Sequence, residues 1–197
     1  MKSLRMLSIL LLAYVLLFSS CSAVPPTGAD DFAYAAAPFS ASIRGTYTSA
    51  DWVARPIAAS VTVGTAAVLG DGSTRPMTIA FTEPPALAGV TVTAAYIADG
   101  QGRMTRSVTF SAPSAYGEVH TESQTGEFDG LLRFAEALLP HGDVISSTPV
   151  HEGGTHTVSR STADGSRCED YLFLEGRVLP LRVTVTTARE SITLTID

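Results

Sequence analysis

The chain has 197 residues, 45% of them hydrophobic and only 16% charged, with a formal net charge of −6. That length suits one domain with a sizeable core and leaves little room for two. An acidic chain whose only lysine is Lys2 excludes the basic surface that nucleic acid or anionic head groups require.

Taken from the start, Lys2 and Arg5 precede an apolar run from Leu7 to Phe18, broken only by Ser8. A positive start followed by a short apolar run is the layout of a secretory leader, and the run is too short to span a bilayer comfortably. Phe18-Ser19-Ser20-Cys21 then sets two small residues directly before a cysteine. This ending resembles the lipobox of bacterial lipoproteins, with Phe18 in place of the usual Leu. The resemblance implies that residues 1–20 are a signal peptide, that Cys21 is the lipid attachment site, and that the protein is extracytoplasmic and anchored to the cell membrane. An ordinary secretory leader that happens to end near a cysteine is the alternative. Loss of Lys2 and Arg5 with the leader takes the formal charge from −6 to about −8. Residues 21–30 read as the lipidated cysteine and a flexible tether, because Ser22 to Asp30 is built of Pro, Gly and small residues. With Cys21 lipidated, Cys168 has no disulfide partner and is expected to be a small half-buried residue.

Residues 31–197 read as a single, mainly β (α+β) domain. Short runs rich in Val, Ile, Thr and aromatics recur between Gly, Pro and Asp breakers. Phe39 to Tyr47 alternates Phe39, Ala41 and Ile43 with Ser40, Ser42 and Arg44. Ile57–Thr65 and Thr74–Thr82 flank Gly70-Asp71-Gly72, and Val90–Ile97 and Arg103–Ser111 flank Asp99–Gly102, which predicts two hairpins. A weaker strand covers Ala115–Glu122. Val144–Val150, Thr155–Thr162, Cys168–Leu174, Val178–Thr187 and Ser191–Ile196 form a closing meander. Roughly ten strands in plain succession predict one large antiparallel sheet, curved into a barrel or part of one.

One helix interrupts them. Phe128, Leu131, Leu132, Ala135, Leu138 and Leu139 fall at helical spacing, with Arg133 and Glu136 on the expected solvent side and Pro140 and Gly142 as the stop. A short second helix is expected at Asp30–Ala37. A helix this apolar must cover something, and the concave face of a curved sheet is its natural place. The inward residues expected opposite it are Ile79, Phe81, Val92, Val108, Phe110, Val183 and Val185.

The order of these elements resembles the LolA/LolB-like fold. The resemblance rests on Phe39-Ser40-Ala41-Ser42-Ile43-Arg44-Gly45, on the segment Ile79-Ala80-Phe81-Thr82-Glu83-Pro84-Pro85-Ala86-Leu87-Ala88-Gly89, and on Leu179-Pro180-Leu181-Arg182-Val183. The middle segment looks like a stretch shared by lipoproteins of Gram-positive sporulating bacteria. The resemblance implies a curved antiparallel half-barrel closed by one or two helices over an apolar pocket, and a role in carrying lipoproteins, binding lipid or sensing envelope state.

Catalytic signals are poor. His151-Glu152-Gly153-Gly154-Thr155-His156 spaces its histidines by five, where a zinc-protease helix needs four, and the glycines favour a polar hairpin tip. His120 and Glu122 share a strand face without a third ligand. Neither a nucleophile elbow nor a phosphate loop is present, so no enzyme, cofactor or metal is expected. Two readings stand. In the first, the half-barrel binds a lipid, acyl chain or other hydrophobic ligand, with Ile79, Phe81, Val92, Phe110, Phe128, Leu131, Leu132, Ala135 and Leu138 as pocket or as plain core. In the second, a packed scaffold docks another cell-envelope or sporulation or germination protein.

Overall fold

The computed structural model describes residues 30–49, 52–65, 75–98, 104–114, 117–123 and 129–197. Cys21 and its tether, Phe128 and the expected turns at Gly70–Gly72 and Asp99–Gly102 lie outside the described residues.

A 3-10 segment, Asp30–Ala36, comes first. It is followed by β1 (Phe39–Ser49), β2 (Trp52–Val63), β3 (Met77–Glu83), β4 (Thr91–Ala98), β5 (Met104–Ser114) and β6 (Gly117–Ser123). Helix α1 (Asp129–Glu136) leads to β7 (Asp143–Ser147), β8 (Thr155–Ser161), β9 (Arg167–Leu174), β10 (Arg182–Thr187) and β11 (Glu190–Ile196). All eleven strands form one antiparallel sheet in the order β6-β5-β4-β3-β2-β1-β11-β10-β9-β8-β7. The sheet is an open half-barrel with β6 and β7 as its two edges. The first strand therefore pairs with the last at the centre, Ile43 opposite Ile196 and Gly45 opposite Leu194.

Several boundaries differ from those read in the sequence. Strand β2 starts at Trp52, five residues before Ile57, and β7 ends at Ser147, before Pro149, whose ring removes a ladder donor. Strand β10 starts at Arg182, past Pro180. The expected second helix is a 3-10 segment, and α1 ends at Glu136. Leu138 and Leu139 continue from it in tighter turns, donating to Ala135 O and Glu136 O.

Side-chain alternation places one face of the sheet in the core. On one half, Ala41, Val61, Ile79, Val92 and Phe110 form a single cross-strand row over β1 to β5. On the other half, Leu194, Val183, Tyr171 and Val158 form a matching row. These residues join the helix residues in one core, with Phe110 at its margin. The opposite face is rich in hydroxyls, among them Ser40 bonded to Thr62 at 3.1 Å and Thr78 to Thr93 at 3.1 Å. Segment 84–89 turns tightly between β3 and β4, with Leu87 packed on the core and Gly89 at φ 83°.

Gly45 marks a close approach at the centre. A Cβ there would lie 1.8 Å from the Thr193 carbonyl oxygen, a backbone atom that can yield only by shifting β11. Gly45→Ala is therefore expected to lower stability by about 1–3 kcal/mol, read as a reduced urea midpoint. An unchanged midpoint would mean that the two central strands have slack.

Candidate ligand cleft and the covered concave face

Two helical pieces cover the concave face, one on each half. Helix α1 packs on β2, β3 and β4. Leu132, Phe134 and Ala135 are its buried residues, and Phe134 meets Phe81 edge-on at 6.0 Å and Tyr47 at 5.7 Å. The 3-10 segment lies on the other half, where Phe32 meets Tyr171 at 4.9 Å and Phe173 at 5.4 Å. Tyr34 joins the two pieces by donating to Leu138 O at 2.7 Å.

Arg133 and Glu136, expected to face solvent, instead flank the helix as clamps. Arg133 pairs with Glu190 on β11, donates to Tyr47 Oη at 2.9 Å and lies over the Tyr47 ring. Glu136 pairs with Arg106 on β5 at 3.2 Å, and Arg106 also reaches Asp129 at 3.0 Å. An eight-residue helix has little stability of its own. Its charged side therefore holds it to both flanks of the sheet while its apolar side packs.

Beyond the helix, a buried polar cluster holds the chain to β8 and β9. Glu169 is 1% exposed. It accepts from His141 N at 2.8 Å, Arg167 Nε at 2.5 Å and Tyr171 Oη at 2.9 Å. Its cross-strand neighbour Arg160 donates to the carbonyls of His141 and Gly142 and lies over the Phe32 ring. Burial alone would raise the Glu169 carboxyl, but hydrogen bonds from the His141 side chain and backbone, then Arg167, outweigh it and hold the pKa below the ordinary value. Burial, and next the Glu169 charge, push the phenols of Tyr34 and Tyr171 up, so both remain hydroxyl donors. At the other end of the 3-10 segment, Arg75, 1% exposed, donates to Gly64 O at 2.9 Å, to Ala37 O at 2.5 Å and to Ala35 O.

Of the residues named from the sequence as pocket or core, those among the described residues fall in one place, whereas Val183 and Val185, expected opposite the helix, lie on β10 in the other half of the sheet. Ile79, Phe81, Val92, Leu132, Ala135 and Leu138 are buried together, and Phe110 and Leu131 are half-buried against them. A cleft of about 390 Å³ lies elsewhere, beside the 3-10 segment. Ala33, Tyr34, Val150, Phe173, Leu174 and Val178 give it apolar walls, and Asp31, His156, Glu175 and Arg177 supply its polar groups. His156 stacks on Phe173 at 5.5 Å and sets Nε2 2.9 Å from Asp31 Oδ2. It is therefore part of the cleft, whereas His151 lies in the exposed turn before β8. Its walls come from the 3-10 segment, the connection into β8 and the end of β9 with the loop after it, far apart in the chain, so no single stretch of sequence signals it. His156 did carry a signal, the same strand parity as buried Val158. His120 bonds Ser111 at 2.7 Å and Glu122 bonds Ser107. Cys168, expected half-buried, is an exposed free thiol, because it alternates with inward Glu169.

No protein-family model and no curated protein matches the chain. Among solved structures it is similar to a LolA superfamily protein from Nitrosomonas europaea, at 10% identity and a TM-score of 0.43 over 86% of this chain and 88% of that one. It is also similar to a DUF1329 family protein from Desulfovibrio piger, at 10% identity and a TM-score of 0.42 over 82% of this chain and 84% of that one.

Proposed function

We propose that this chain is a membrane-anchored extracytoplasmic lipoprotein, non-enzymatic, whose half-barrel domain binds a lipid, an acyl chain or another hydrophobic ligand. The observation that carries the ligand is the cleft: about 390 Å³ with apolar walls falls within the size range of small-molecule sites. The anchor rests on the sequence around Cys21. Two or three acyl chains on one cysteine hold durably where a single chain does not, at about 0.8 kcal/mol per buried methylene.

A second reading, a scaffold that docks another envelope protein, is favoured by the dense concave face, where Ile79, Val92, Leu132 and Ala135 are fully buried. Native mass spectrometry of the protein purified gently from its own membranes, with lipid extraction alongside, separates the two. A defined added mass that extracts as lipid is expected. A bare mass together with a stoichiometric protein partner would replace the ligand reading with the scaffold. Cys21→Ala is expected to release the protein from membranes. Retention of that variant after a carbonate wash would overturn the anchor.

A further inference from the structure

We infer that the mouth of the cleft is a membrane-contact surface, where Val150 and Val178 enter the interfacial layer of the bilayer that holds the lipid anchor. The inference rests on the anchored, ligand-binding reading above and adds a partner to it, the lipid surface itself.

Val150 and Val178 are 57% and 73% exposed. Val150 lies between β7 and β8 and Val178 between β9 and β10, on separate loops, yet both line this one cleft. Its third wall carries Asp31 and Ala33, at the start of the domain. The tether reaches that wall from Cys21 through residues 22–30, a span of at most about 30 Å when fully extended. The tether therefore enters the domain at the wall that carries the mouth, and its length lets the bilayer that holds Cys21 meet the two valines. Two valines are a weak membrane ligand alone. The anchor supplies the affinity by holding them at high local concentration, so they need only orient the domain. At the cleft Asp31 is paired with His156, Arg177 is balanced by Glu175 and donates to Ile196 O, and the acidic net charge gives no attraction to anionic head groups. The contact is with the apolar part of the bilayer, so zwitterionic lipid suffices.

The test uses the lipidated protein in a Cys168→Ser background, which removes the exposed thiol. Val150→Cys, Val178→Cys and, as a control away from the cleft, Val119→Cys on β6 each carry an environment-sensitive fluorophore. The proteins are reconstituted in zwitterionic vesicles with and without acyl-brominated lipid. Flotation with the vesicles reports the anchor, and quenching by bromine reports the contact. Co-flotation is expected, with quenching at 150 and 178 several-fold stronger than at 119. Co-flotation with equal quenching at all three sites would overturn the contact and leave the anchor standing. Failure to float would overturn the anchor and the contact with it. Probes shielded from aqueous iodide but untouched by bromine would mean that the tether or a second copy covers the mouth, which also overturns the inference.

Discussion

Leu132→Asp is expected to abolish cooperative folding at 25 °C. Leu132 is fully buried in α1, in a helix that packs on β2, β3 and β4. A carboxylate there is an unpaired charge in an apolar site, among the few changes that cost more than about 4–5 kcal/mol. A domain's whole stability is about 5–15 kcal/mol. The graded variant Leu132→Ala is expected to lose about 2–5 kcal/mol through transfer and cavity terms together while keeping the fold. Thermal melts followed by far-ultraviolet circular dichroism, and urea titrations of the alanine variant, read both. If both variants keep the wild-type melting temperature, α1 does not close the concave face.

Glu169→Gln gives the second large effect, and it depends on pH. The carboxylate accepts from His141 N, Arg167 Nε and Tyr171 Oη, and the His141 ring sets Nδ1 3.3 Å from it. An amide replaces one accepting oxygen with a donor that must face donors, and it leaves Arg167 without its ion pair. The expected loss at pH 7 is about 2–4 kcal/mol, toward the lower end for a broken buried pair because Arg167 keeps some access to water. Because the folded pKa of Glu169 is lowered, the unfolded chain binds its proton first as pH falls. The stabilisation is complete above the unfolded value of about 4.3 and drains as pH drops through the folded value below it. Wild type should therefore lose stability steeply below about pH 4, and Glu169→Gln less steeply. Urea midpoints at pH 7 and pH 3.5 test this, and parallel losses in both proteins would remove Glu169 as the source.

Most of the strands were legible because alternation reports one buried face directly. Phe39, Ala41 and Ile43, or Met77, Ile79 and Phe81, can face a core in only one register. The apolar spacing of Leu131, Leu132, Ala135 and Leu138 was enough to place a covering helix. Inward charges were harder to see. Glu169 has the parity of Tyr171 and Phe173, but a carboxylate read alone belongs to solvent, and only the folded chain brings His141 to it. Arg75 carried no local signal, since its acceptors Ala35 and Ala37 sit about 40 residues upstream. The cleft was illegible for the same reason. Periodicity describes one element at a time, and segments far apart in the chain that meet in space leave no common pattern in it.

The strand order has a consequence for how the domain comes together. Nine of the ten pairings join strands that are consecutive within the halves β1 to β6 and β7 to β11. The tenth, β1 with β11, joins the two ends of the domain. Each half is a run of neighbouring hairpins with short loops to close, whereas the central seam must close almost the whole chain. Zipping of β1 to β11 is therefore expected to be the slow, concentration-independent step of folding. A chain cut between β6 and β7 would keep its two meanders joined by that seam and by the helical pieces, since the 3-10 segment of the first half packs on the second.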